Sequence, residues 1–177
     1  MKNKQEIPFD ECNCFLTGSI DGESVEKVIR WIMTGSQNPS SEHPMKLYIN
    51  SDGGNLIDTF ALIDVMRTSL IPITTIGMGH LMSSAFILFA AGTKGQRAIA
   101  KNTSIMIHQF SHEYIGKYHD MRSYTQELDR INHRMVVELS RTSGMSEIEV
   151  SSKLLGSSDV WLTAEQLVEI GIADYIF

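Results

Sequence analysis

No run of apolar residues here approaches the ~18 that a membrane-crossing helix needs. The longest apolar region, Met82 to Ala91, carries two serines and stops at Gly92, which reads as a buried helix. A surplus of positive charge is missing too. The 15 Lys+Arg are outnumbered by 21 Asp+Glu, and a formal net charge of −6 speaks against a broad electrostatic grip on nucleic acid or an anionic membrane. The start of the chain, Met1 to Pro8, has two lysines with no apolar stretch behind them, so it is not read as a secretory signal. Cysteine is scarce: Cys12 and Cys14 are the only two, one residue apart. That spacing suits neither a routine disulfide nor a four-ligand zinc site, so reduced thiols in a cytoplasmic protein are expected.

What is present is ordinary globular material. A content of 42% hydrophobic and 20% charged residues in 177 is enough for one domain with its own core, and it excludes wholesale disorder. A strand is expected over 13–18. The residues Val25, Val28, Ile29, Ile32 and Met33 recur at helical spacing, with Ser24 as cap and Gly35 as stop. A polar loop follows over 37–44, then a strand over 45–49 that ends in the glycine turn Asn50 to Gly54. A helix is expected over 55–69, a strand over 73–76, a loop over 77–80 and a fully buried helix over 83–92. Two strands, 97–100 and 104–109, meet at a turn. From Tyr118 to Thr142 apolar residues keep a spacing of three or four for about six turns, a helix on the order of 37 Å that Gly144 closes. It is longer than a compact domain needs, so it is expected to project or to pack on a partner. Helices over 146–155 and 163–170 and a strand over 175–177 complete the pattern. Strands alternating with helices indicate an α/β fold with mostly parallel pairing.

Four places carry residues suited to chemistry. Gly53-Gly54 follows a strand end, where two glycines allow a positive φ and close approach of a ligand; a plain strand-to-helix turn capped by Asn55 is the other reading. Ser83 stands where a glycine-containing loop hands over to an apolar helix. There the helix dipole and exposed N–H groups would favour a nucleophile and its oxyanion, although Ser83 or Ser84 could equally be only a cap. His108 ends an aliphatic strand, as a base or as a satisfied core residue. Asp159 follows a polar Gly-Ser-Ser stretch, and could orient a histidine or be an ordinary loop carboxylate. Each signal is weak alone.

Together they resemble the proteolytic subunit of the ATP-dependent Clp protease. That family has Ile-Asn-Ser-Pro-Gly-Gly after a strand; this chain has Ile49-Asn50-Ser51-Asp52-Gly53-Gly54. The family's Thr-Ile-x-x-Gly-x-Ala-Ala-Ser nucleophile segment aligns without gaps on Thr75 to Ser83. Its Met-Ile-His-Gln motif is present verbatim at Met106 to Gln109. Its acidic element, an Asp just ahead of an Ala-Glu helix, matches Asp159 to Glu165, and the terminal Gly-x-x-Asp recurs as Gly171 to Asp174. The resemblance covers roughly Phe15 to Phe177.

The resemblance implies a Clp/crotonase-like spiral of ββα units in a single domain, with residues 1–12 a flexible, shortened N-terminus and 110–143 a projecting handle region. It implies a serine endopeptidase in which Ser83 attacks, His108 takes the proton, Asp159 holds the imidazole, and the backbone N–H groups of Gly54 and Ser84 form the oxyanion hole. It further implies a homo-oligomeric heptameric ring, stacked into a tetradecamer and fed by an AAA+ unfoldase. No intrinsic cofactor or metal is implied, ATP being used only by that unfoldase. The departures are specific. Asp52 replaces the proline before the glycines, Ser84-Ala85 replaces Met-Gly, Phe110-Ser111-His112-Glu113 replaces Pro-x-Gly-Gly in the substrate-binding strand, and Ser158 replaces an arginine tied to ring-on-ring contact. With the short N-terminus, where the unfoldase would dock, they point to a divergent member, such as a phage-encoded or accessory subunit. A non-catalytic ring subunit and an acyl-CoA-handling crotonase relative are the competing expectations.

Overall fold

The structure, a computed structural model, describes residues 12–36, 45–111 and 115–177. The expectations for residues 1–11, for the loop at 37–44 and for His112-Glu113 lie outside the described residues. The elements in chain order are β1 (Asn13–Ile20), α1 (Gly22–Ser36), β2 (Met45–Gly54), α2 (Leu56–Thr68), β3 (Ile73–Met82) and α3 (Ser84–Ala90). Then come β4 (Arg97–Ile99), β5 (Ser104–Ile107), α4 (Tyr118–Ser143), α5 (Glu147–Lys153), β6 (Val160–Leu162), α6 (Ala164–Glu169) and β7 (Tyr175–Ile176).

The sheet runs β1-β2-β3-β4-β7, every pair parallel, which is the outcome expected when each strand is followed by a helical return. Along β2 the residues Met45, Leu47, Ile49 and Ser51 turn to one buried face, the period-two pattern of a strand. Leu16, Leu47, Ile49, Ile63, Leu81 and residues 85–90 of α3 share one apolar core. The helix α3 is buried all round, so it must sit between layers rather than on a surface.

Two sequence expectations are corrected here. The residues 50–54 and 77–80, expected as a turn and a loop, belong to β2 and β3. The register passes from Ile49↔Gly77 to Ser51↔Leu81, so β3 bulges between those pairs instead of leaving the sheet. Past the bulge, β3 changes partner: Thr75 to Gly77 pair with β4, whereas His80 to Met82 pair with β5. The cap of α1 is also different. Asp21, not Ser24, precedes the helix, and its carboxylate accepts from the Ser24 N–H at 2.9 Å while Ser24 Oγ accepts from the Asp21 N–H. The helix starts a turn before the apolar stripe, at Gly22, and runs through Gly35 to Ser36.

The terminal Gly171-x-x-Asp174 segment has a packing role. Arg97, 2% exposed, uses every donor of its guanidinium: Nε and Nη2 to Asp174, Nη2 to Gly171 O, and Nη1 to Thr142 O and Ala90 O. One side chain thereby joins the ends of α3, α4 and α6 to the last strand. Burial pushes the Asp174 carboxyl up, but the Arg97 hydrogen bonds and charge outweigh it and hold the group below the usual carboxylate range.

The second half of α4 packs through Ile131, Met135, Val136 and Leu139. Its buried Glu138 binds Arg67 of α2 and Arg141, so the charge enters the core paired. In its first half Met121 and most of the described neighbours are exposed. Gly144, at φ 81°, closes the helix as a left-handed cap.

Candidate active site

The three sheet strands β3, β5 and β6 bring the candidate residues together by register. Met82 is opposite Met106 in the parallel β3–β5 pair, and the Ser83 N–H donates to Met106 O at 2.9 Å. In the antiparallel β5–β6 pair Ile107 faces Val160, so the next two residues outward are His108 and Asp159. Side chains from the ends of three neighbouring strands thus converge at one edge of the sheet, where ligand sites of open α/β sheets lie.

His108 Nε2 stands 2.9 Å from Ser83 Oγ, within hydrogen-bond range. On the other side of the ring, His108 Nδ1 is 3.6 Å from Asp159 Oδ1, an ion-pair distance but longer than a hydrogen bond. The Asp159 side chain is 54% exposed and that of His108 29%. Gln109, beside the histidine, donates to Leu155 O at 2.8 Å and ties the end of β5 to the segment leading into β6.

Ser83 is the one non-glycine among the described residues with a positive φ, at φ 52° and ψ −124°. A non-glycine residue there is strained by roughly 1–3 kcal/mol. The strain comes from a strand that turns at once into a helix, which lifts the serine out of both elements. It is not a side-chain cap: Ser83 makes no capping hydrogen bond to α3. Its neighbour Ser84 is 3% exposed, and its Oγ is buried without a hydrogen-bond partner.

Gly53 and Gly54 have φ of 99° and 152°. A Cβ on Gly53 would lie 2.8 Å from Ser83 Cβ and 2.9 Å from Met82 O, so only glycine lets the end of β2 pass so near the serine. Asn55 caps α2, its side chain accepting from the N–H groups of Ile57 and Asp58. The cap and the close approach therefore coexist, and the two readings of this segment are not alternatives.

Gly54, Ser83 and His108 line a cleft of about 440 Å³ together with Asp52 and the apolar side chains of Ile87, Met106, Leu128, Ile131 and Met135. Residues of α4 thus supply part of the floor. Among the described residues no cluster of His, Cys, Asp and Glu could hold a metal ion, and no helix is long and apolar enough to cross a membrane. Cys12 and Cys14 form no disulfide. Burial pushes the Cys14 thiol up to about 11 against a smaller opposing effect of the Phe15 backbone, so it is no thiolate nucleophile at neutral pH.

The Clp protease family model matches residues 3–177. The chain belongs to the Clp protease family. It is 35% identical to the ATP-dependent Clp protease proteolytic subunit 1 of Thermobifida fusca, over 94% of this chain and 74% of that relative. It is 30% identical to proteolytic subunit 1 of Corynebacterium diphtheriae and to proteolytic subunit 2 of Corynebacterium jeikeium, over 96% of this chain and 80% of each.

Two features of this Clp-family site were missed in the sequence. One is the backbone strain at Ser83, where no glycine marks the position. The other is a contact between Asp52 and His80, whose side chains meet at 2.6 Å across the ends of β2 and β3. Asp52 stood out as an unusual residue, but nothing local in the sequence pairs it with a histidine 28 positions away.

Proposed function

We propose that this Clp-family chain is a catalytically active serine endopeptidase subunit that cleaves unfolded polypeptides. The observation that carries the reading is the 2.9 Å approach of His108 Nε2 to Ser83 Oγ on a strained strand-to-helix turn. Ser83 Oγ attacks the scissile carbonyl carbon while its proton passes to His108 Nε2. The carbonyl oxygen becomes an oxyanion that the N–H groups of Gly54 and Ser84 stabilise, and such donors lower the barrier by about 3–4 kcal/mol each. His108 returns the proton to the leaving amine, and the acyl-enzyme is then hydrolysed by water through the same groups in reverse. Asp159, 3.6 Å from Nδ1, orients the imidazole and stabilises its charge through the ion pair.

The reading extends to a homo-oligomer, a heptameric ring stacked in pairs in the cytoplasm, with an AAA+ unfoldase supplying extended chains and using the ATP. No cofactor of its own is required. What supports the ring is the largely exposed first half of α4, Met121 included, with Ile115 exposed just before it. A spiral arrangement of ββα units fits the change of partner along β3.

A second reading, a non-catalytic ring subunit that joins an active one, is favoured by the long and exposed His108–Asp159 contact and by Ser158 next to it. A fluorophosphonate probe separates the two. The active reading expects labelling of the wild-type chain that Ser83→Ala abolishes and Ser84→Ala preserves. An unlabelled wild type in an assembled ring would sink it.

A further inference from the structure

The paired glycines 53 and 54 are a weak point in the site. Glycine has the most backbone freedom of any residue, and two in succession at positive φ need an outside constraint to hold one N–H in place. Upstream stands Asp52, which does not restrict φ as a proline would.

The constraint comes from β3. The bulge between Gly77 and Leu81 turns His80 outward, over the end of β2. There the His80 N–H donates to Asn50 Oδ1 at 2.9 Å, and Nδ1 of the ring meets Asp52 Oδ1 at 2.6 Å. Gly79, at φ 63°, brings its backbone against the Asn50 side chain, where a Cβ would lie 2.5 Å from Oδ1. The Gly53 N–H is taken by Ser51 Oγ at 3.0 Å. The segment 50–53 is therefore braced from within by Ser51 and tied to β3 at two points, both on one histidine that lies three residues before Ser83. We propose that the Asp52–His80 pair is a positioning device for the oxyanion loop, fixing the Gly54 N–H relative to Ser83. This rests on the peptidase reading above, because it assigns Gly54 the oxyanion.

An oxyanion donor acts in the tetrahedral state and not on the bound ground state. Loosening it should lower kcat and leave KM. The pair is solvent-exposed, 55% for His80 and 73% for Asp52, so its contribution is modest. Asp52→Ala and His80→Ala should each lower kcat about three- to tenfold with KM within twofold, and the double variant should be no slower than either single one. Asp52→Asn, whose amide can still bond the ring, should keep near wild-type kcat. Affinity for a peptide boronate, which mimics the tetrahedral adduct, should fall in step with kcat. Amide hydrogen exchange across residues 50–56 should quicken in Asp52→Ala and not in Asp52→Asn, and this readout needs no activity. Unchanged exchange in Asp52→Ala, unchanged kcat despite faster exchange, additive single effects, or a rise in KM alone would each overturn the proposal. A wild type unlabelled at Ser83 would instead sink the peptidase reading, and exchange alone would then decide whether the tether exists.

Discussion

Asp159→Asn offers the sharpest check on how this site is built, because its cost depends on burial. In a triad with a buried, hydrogen-bonded aspartate the same change costs about 10⁴ in kcat. Here the carboxylate lies 3.6 Å from His108 Nδ1 and is 54% exposed. At that distance the attraction for an imidazolium is between about 1 and 5 kcal/mol, for effective dielectric constants from about 80 down to about 20. Exposure of more than half the carboxylate puts the value in the lower half of that range. One decade in rate corresponds to about 1.4 kcal/mol, so kcat should fall roughly 10- to 100-fold, with little change in KM. Steady-state hydrolysis of a fluorogenic peptide measures this, and the rate of fluorophosphonate labelling of Ser83 gives an independent value. A loss near 10⁴ would refute the reasoning, since the working enzyme would then hold Asp159 buried and bonded. An unchanged rate would refute it from the other side and remove Asp159 from the mechanism.

Two further substitutions probe the frame around the site. Asp174→Ala leaves the fully buried Arg97 without its counter-charge, and breaking such a pair costs about 3–5 kcal/mol, a fall in Tm of roughly 6–20 °C by calorimetry. The Asp174 carboxyl is held below its ordinary value, so its stabilising effect is full above about pH 3.9 and is lost as pH falls through the folded-state value; wild-type Tm should carry that acid-side loss and Asp174→Asn should lack it. Gly53→Ala sets a Cβ at 2.8 Å from Ser83 Cβ on a backbone at φ 99°, so labelling of Ser83 should slow by more than 100-fold while Tm drops by the equivalent of only about 1–3 kcal/mol. Normal labelling of that variant would show that β2 is free to withdraw from the serine.

Much of the architecture was legible because it is local. Apolar spacing located α1, α2 and α4, and Gly144 marked the end of α4 as only a left-handed cap can. The capping boxes at Ser146 and Thr163 make those residues the caps, so the two short helices start one residue later than expected. Local pattern fails where a neighbour decides. The segment Gly77 to His80 carries two glycines and reads as loop, yet it stays in the sheet because β5 takes over where β4 leaves off. β6 is three residues long, too short to show a period, and it exists because β5 offers it an edge.

The site divides along the same line. Ser83, His108 and Asp159 could be nominated because each lies in a short local motif. Their convergence is a matter of register between strands far apart in sequence. Register depends on which side chains pack on which face, and a slip by one residue would turn His108 away from Ser83. Asp52 shows the limit most clearly. Read by itself it is a carboxylate in the wrong place beside the proposed oxyanion site, an element to be explained away. The bulge in β3 gives it a partner, and the bulge arises because β3 takes four residues to advance from its pairing with Ile49 to that with Ser51, whereas β2 takes two. Substitution at one strand end is therefore answered by geometry at the next, and a residue that breaks a motif can still serve the function from which the motif was inferred.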